Sequence, residues 1–128
     1  MRAPEIGDIG DRIDLVIRRG ASFGPHQVSM ANPDGTPVNL TGASVRGSIR
    51  VTHDAATAAA DLVVTMIDAL AGTFSFELPV SATATLAGGK NLADRAGAHV
   101  WDMEIEYADG IVRPLYWGVV QVMAEATR

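Results

Sequence analysis

An all-β fold, either an antiparallel sandwich or a small barrel, is what this sequence predicts, and three stretches carry the prediction. Val45-Arg46-Gly47-Ser48-Ile49-Arg50-Val51 alternates apolar or small residues with polar ones. Thr73-Phe74-Ser75-Phe76-Glu77-Leu78 repeats the pattern with Phe74, Phe76 and Leu78 on one side. Trp101-Asp102-Met103-Glu104-Ile105-Glu106-Tyr107 repeats it most cleanly. Successive side chains of a strand point to opposite faces, so each stretch buries one face and wets the other. Several such strands separated by turns form scaffolds that serve binding and assembly more often than catalysis.

Residues 1–12 contain Pro4, Gly7, Gly10 and three acidic residues without periodicity. They read as an arm outside the sandwich domain of residues 13–128, either a frayed terminus or a segment that orders on a neighbouring subunit. Ile13-Asp14-Leu15-Val16-Ile17-Arg18 is the first predicted strand, and Arg19-Gly20-Ala21-Ser22 turns the chain. A second strand runs from about Phe23 to Ala31, with Pro25 expected at a strand start, edge or bulge because it lacks an N–H. Asn32-Pro33-Asp34-Gly35-Thr36 is a strong turn, followed by a short strand over Pro37-Val38-Asn39-Leu40.

After the Val45 strand, the alanine-rich stretch from His53 to Ala60 is either a helical turn or an ordered loop. Leu62 to Ile67 is β-branched and apolar, as a strand requires, and Asp68-Ala69-Leu70-Ala71-Gly72 turns into the Phe74 strand. Ser81 is placed to cap one short helix through Leu86, with Pro79 upstream. Residues 87–97 form the longest loop. Asp109-Gly110 suits a hairpin turn between the last two strands. The final strand, Ile111 to about Met123, is apolar on both faces from Leu115 to Val120, which fits a central strand or a bulge at Gly118.

At 128 residues the chain is one domain with a genuine core. Apolar residues make up 48% and charged residues 20%, so wholesale disorder is excluded. The net charge of −5 and a single lysine, Lys90, argue against a nucleic-acid partner, since phosphate binding needs clustered Lys and Arg. The absence of cysteine removes disulfides, thiolate metal sites and a thiol nucleophile together. The start, Met1-Arg2-Ala3-Pro4-Glu5-Ile6-Gly7-Asp8, is neither a signal peptide nor an anchor, and no apolar run is long enough to span a bilayer. A soluble protein with no membrane partner is expected.

The residues offer little chemistry. His26, His53 and His99 lie far apart with no carboxylate at ligand spacing, so no metal site is expected. Asp102, Glu104 and Glu106 share one face of a strand, about 7 Å apart per step. Arg46 and Arg50 stand at the same polar phase of another strand, and if the two are neighbours, cross-strand ion pairs are expected rather than acid–base catalysis. Asp34-Gly35 and Asp109-Gly110 lack the further oxygen ligands of a calcium loop. Gly88-Gly89-Lys90 lacks the first glycine and the Ser/Thr of a phosphate-binding loop, and no serine has a nucleophile elbow or a histidine nearby. No catalytic residue and no cofactor are assigned. Tyr116 and Trp117 point to opposite faces, so one of the two is free to serve an interface or a sugar.

Three pieces in order carry a family resemblance. They are Asp14-Leu15-Val16-Ile17-Arg18-Arg19-Gly20-Ala21-Ser22-Phe23, the run from Pro33-Asp34-Gly35-Thr36-Pro37 through Leu40-Thr41-Gly42 to Arg50, and Val100-Trp101-Asp102-Met103-Glu104-Ile105 with Asp109-Gly110-Ile111-Val112-Arg113. The set, covering residues 13–123, resembles small tailed-bacteriophage virion proteins similar to the N-terminal domain of phage baseplate upper proteins. The arm, the loop from Gly88 to Arg95, and Pro114 depart from that pattern.

The resemblance implies an immunoglobulin-like antiparallel β-sandwich acting as a non-catalytic structural or adaptor protein in a tail, baseplate, fibre or head. It further implies a protein made in the bacterial host cytoplasm and built into the virion beside other virion proteins and copies of itself. The expected contact residues are Ile6 and Ile9 of the arm, Lys90, Asn91 and Arg95 of the long loop, and Tyr116 and Trp117 of the last hairpin. The alternative is a carbohydrate- or surface-binding sandwich in which Tyr116 or Trp117 is the stacking platform.

Overall fold

The computed structural model describes residues 10–124. Nine strands fall into two sheets: β1 Asp11–Arg12, β2 Leu15–Arg18, β3 Phe23–Ser29, β4 Ser44–Arg50, β5 Ala60–Asp61, β6 Val63–Asp68, β7 Thr73–Leu78, β8 Ala98–Glu106 and β9 Val112–Met123. The larger sheet runs β1-β9-β8-β4-β5, with β2 also on β9, and the smaller runs β3-β7-β6. The chain is an all-β sandwich.

The alternation that marks the strands in sequence is the alternation of burial. Along β8, His99, Trp101, Met103 and Ile105 are buried while Asp102 is exposed. Ile49, Phe74, Leu78, Val120 and Val122 close the same core from the other strands. Leu62 is the crossing point at which the chain leaves β5 in one sheet and enters β6 in the other. It is buried, and its N–H donates to the Gly47 carbonyl at 2.9 Å.

The final strand is central, as its two apolar faces require: β8 pairs with it antiparallel and β1 and β2 pair with it parallel. Its irregularity lies three residues before Gly118. The register with β8 shifts between Met103 and Glu104, whose partners are Tyr116 and Pro114, so Leu115 is the extra residue. Pro114 therefore sits beside a bulge, where a missing N–H is tolerated. Pro25 also sits at a bulge, since the β3–β7 register shifts between Phe23 and His26. The Gly24–Pro25 bond is cis.

Three expectations change. Pro37–Leu40 is loop rather than strand, joined only by an Ala31–Pro37 bridge, because its N–H groups are used singly: Val38 donates to Met30 and Leu40 to Ala69. The expected helix is a single turn, Val80–Thr83, led by Pro79 with no side-chain cap. Ser81 lies inside that turn, so it is not the cap. Asp11 and Arg12, the end of the expected arm, form β1 against Tyr116 and Trp117. From His53 to Ala59 the stretch takes the ordered-loop option, and Ala60 opens β5. No described helix is long and apolar enough to cross a membrane.

Candidate functional site

One flank of the sandwich is open. The edge of the larger sheet (β2) and the edge of the smaller (β3) stand side by side without pairing, and a groove of about 500 Å³ runs between them. Ile13 to Val16 form one wall and Phe23 to Ser29 supply the other, while Phe76, Trp101 and Tyr116 line the floor. The floor is a relay of rings. Phe23 and His26 lie 6.3 and 5.5 Å from Phe76, Phe76 is 6.1 Å from Trp101, and Trp101 is 6.1 Å from Tyr116. Such centroid separations are those of favourable aromatic pairs.

At Ile13 and Asp14, between the β1 and β2 ladders, side chains join the backbone in holding this wall. The Trp101 indole N–H donates to the Ile13 carbonyl at 2.7 Å, and the Ile13 N–H donates to Trp117 O at 2.9 Å. Asp14 accepts from the Val119 N–H at 3.1 Å and from Arg12 Nε at 3.1 Å. The Arg12 guanidinium, and after it the Val119 N–H, hold the Asp14 carboxyl below the usual carboxylate range. Tyr116 is half-buried in the floor, and burial together with Asp11 raises its phenol pKa above the ordinary value.

The outer face of the larger sheet is different in kind. Arg46 stands opposite Glu104 in the β4–β8 register and bonds it at 2.5 Å and Glu106 at 3.3 Å, the cross-strand pairing expected of these residues. Arg50 donates instead to the Ala55 carbonyl at 2.9 Å. Trp117 lies on this face, with the Arg12 guanidinium 5.4 Å from its ring centroid, a cation–π distance. Its indole N–H is buried and meets no acceptor among the described residues.

Tyr116 and Trp117 thus do face opposite ways, one into the groove and one onto the outer sheet. Lys90, Asn91 and Arg95 are exposed on a loop pinned to the far end of β9. Gly89 exchanges hydrogen bonds with Val122 and Ala124, and Gln121 Nε2 donates to Asn91 O and Asp94 O. Asp94 fixes the loop further by accepting from the Lys90 and Ala96 N–H groups, which lower its carboxyl pKa. Gln121 is four residues past Trp117, about 13 Å along a strand, so the loop and the aromatic hairpin do not form one site. Ile6 and Ile9 lie outside the described residues.

Of the histidines, His26 lines the groove, His53 is on an exposed loop, and His99 is buried with Nδ1 2.9 Å from Gly97 O. That contact requires the Nδ1 proton, a structural role. Among the described residues no cluster of three His, Asp or Glu side chains is disposed around a cation. The groove itself is what sequence reasoning missed. Phe23, His26 and Phe76 come from separate stretches, and only the pairing of β3 with β7 joins them.

The sequence matches no protein-family model. No curated protein matches it either.

Proposed function

We propose that this chain is a non-catalytic assembly domain of a tailed-phage or prophage particle, joining tail, baseplate, fibre or head components through protein–protein contacts. The observation that carries the reading is the open flank. Two adjacent sheet edges with unpaired backbone groups enclose an aromatic-floored groove, an arrangement suited to receiving an extended segment of a neighbour. The virion assignment comes from the ordered resemblance in residues 13–123. We infer an immunoglobulin-like arrangement from the strand grouping: β3-β7-β6 against a sheet centred on β4-β8-β9 parallels the B-E-D and C-F-G grouping of such sandwiches.

The test is light scattering coupled to size exclusion over a concentration series, for the full chain, a chain starting at Asp11, and Val16→Lys in the exposed groove wall. Mass spectrometry of purified particles accompanies it. Association or particle incorporation that Val16→Lys abolishes, with the fold intact, supports the reading. A protein absent from particles and monomeric in every form sinks it.

A further inference from the structure

The groove on the open flank has one closed end, where the turn at residues 19–22 joins β2 to β3. Its mouth is therefore at the other end, beside Ile13 and Ser29. The described chain begins at that same end. Gly10 packs on Leu115, and Asp11 and Arg12 run parallel to Tyr116 and Trp117. The mouth of the groove and the point from which residues 1–9 depart thus share one pole of the sandwich.

The lining fits an extended apolar segment. Leu15, Phe23, Val28, Phe76, Trp101 and Tyr116 supply apolar and aromatic surface, and Asp14 is already bonded to Arg12 and the Val119 N–H. Proline and aliphatic side chains dock well on aromatic-lined grooves. Of the two ends of the sequence outside the described residues, 125–128 is Glu-Ala-Thr-Arg, without a large apolar side chain. Residues 1–9 carry Pro4, Ile6 and Ile9, and strand alternation puts Pro4 and Ile6 on one face with Glu5 on the other. Extended, these residues reach about 30 Å, against about 23 Å for the length of β3. The reach is directed away from the same chain's groove. The line of β1, traced back beyond Gly10, follows β9 toward Pro114 and leaves the sandwich. Entry into the same groove needs a full reversal at Gly10, where a Cβ would fall 2.7 Å from the Leu115 carbonyl oxygen. A second copy meeting this pole receives the segment with no reversal.

We propose that residues 1–9 of one copy occupy the β2–β3 groove of a second copy, antiparallel to its β2 and parallel to its β3. Ile6 lies beside Val28 of the second copy and Pro4 beside its His26, over the ring of Phe76, while Asp8 stays at the mouth. Because exit and mouth share a pole, the exchange is reciprocal and closes as a two-fold dimer. The inference rests on the groove being the seat of an extended segment, and it names that segment.

The experiment uses the full chain throughout. Light scattering at up to about 100 µM is expected to show a dimer, and Ile6→Lys to weaken it about tenfold or more with unchanged circular dichroism. The sequence has no cysteine, so a chain carrying both Ile6→Cys and Val28→Cys reports the seat directly on oxidation. A disulfide between positions 6 and 28 of different chains is expected, read as a dimer on a non-reducing gel and mapped by mass spectrometry. That bond closed within one chain, its absence, a full chain monomeric throughout, or association that Ile6→Lys leaves unchanged overturns the proposal. Particle incorporation lost in Val16→Lys but kept in Ile6→Lys removes this inference alone and leaves the assembly reading standing. Exchange in solution by a protein absent from particles does the reverse.

Discussion

Gly118 shows how one missing side chain sets the path of a neighbouring strand. A Cβ there falls 2.1 Å from the Ile13 carbonyl oxygen and 2.9 Å from Asp14 Oδ1, so backbone has to move to admit it. The close approach is also what brings the Ile13 carbonyl under the Trp101 indole. Gly118→Ala is expected to lower stability by about 2 kcal/mol or more, read from the urea midpoint at unchanged slope. The carboxylates give a pH dependence whose sign is fixed. Asp14, Asp34 and Asp94 are all held below their ordinary pKa of 3.8, by Arg12, by the Thr36 hydroxyl and by the Lys90 N–H first of all. A carboxyl depressed only in the folded chain stabilises the fold above its unfolded pKa, and the benefit is lost as pH falls through the folded value. Stability should therefore decline below about pH 4, and the gap between wild type and Asp14→Asn should close there, as thermal melts at stepped pH will show.

Among the elements, the β1–β2 segment depends most on side chains. Its ladder with β9 is interrupted at Ile13 and Asp14, and the Trp101 and Asp14 bonds span the gap. Trp101→Phe keeps an aromatic ring in the core but leaves the Ile13 carbonyl without its partner, a loss of about 1–3 kcal/mol. Amide exchange across residues 11–18 should quicken while β4 and β8 stay protected, and equal acceleration in all three would contradict this account. Strand positions were legible in the sequence because periodicity and turn chemistry are local. The β4, β7 and β8 stretches and the Asp109-Gly110 hairpin follow from neighbouring residues, and of the strand start, edge or bulge open to Pro25 the structure has the bulge. Pro37–Leu40 was misread because an apolar residue looks the same whether a strand or a loop buries it, and Leu40 is buried at 1% exposure. Tyr116 and Trp117 were separable by parity alone. The groove was invisible, since it exists only once distant strands are in register.

For the molecule as a whole, the two flanking surfaces differ in solvent character. The groove between β2 and β3 is walled largely by apolar and aromatic groups, and the outer face of the larger sheet by carboxylates, hydroxyl and guanidinium. Both surfaces meet at β9, which carries Tyr116 on one side and Trp117 on the other. The parallel pairing of the first and last strands has a mechanical consequence. Asp11 lies beside Tyr116 and Arg18 beside Met123, so the described chain enters at one pole of the sandwich and leaves near the other. Tension applied to the two ends pulls β1–β2 and β9 past each other lengthwise. Their hydrogen bonds are then loaded together in shear instead of being peeled one at a time, and the strap yields only when the whole ladder fails.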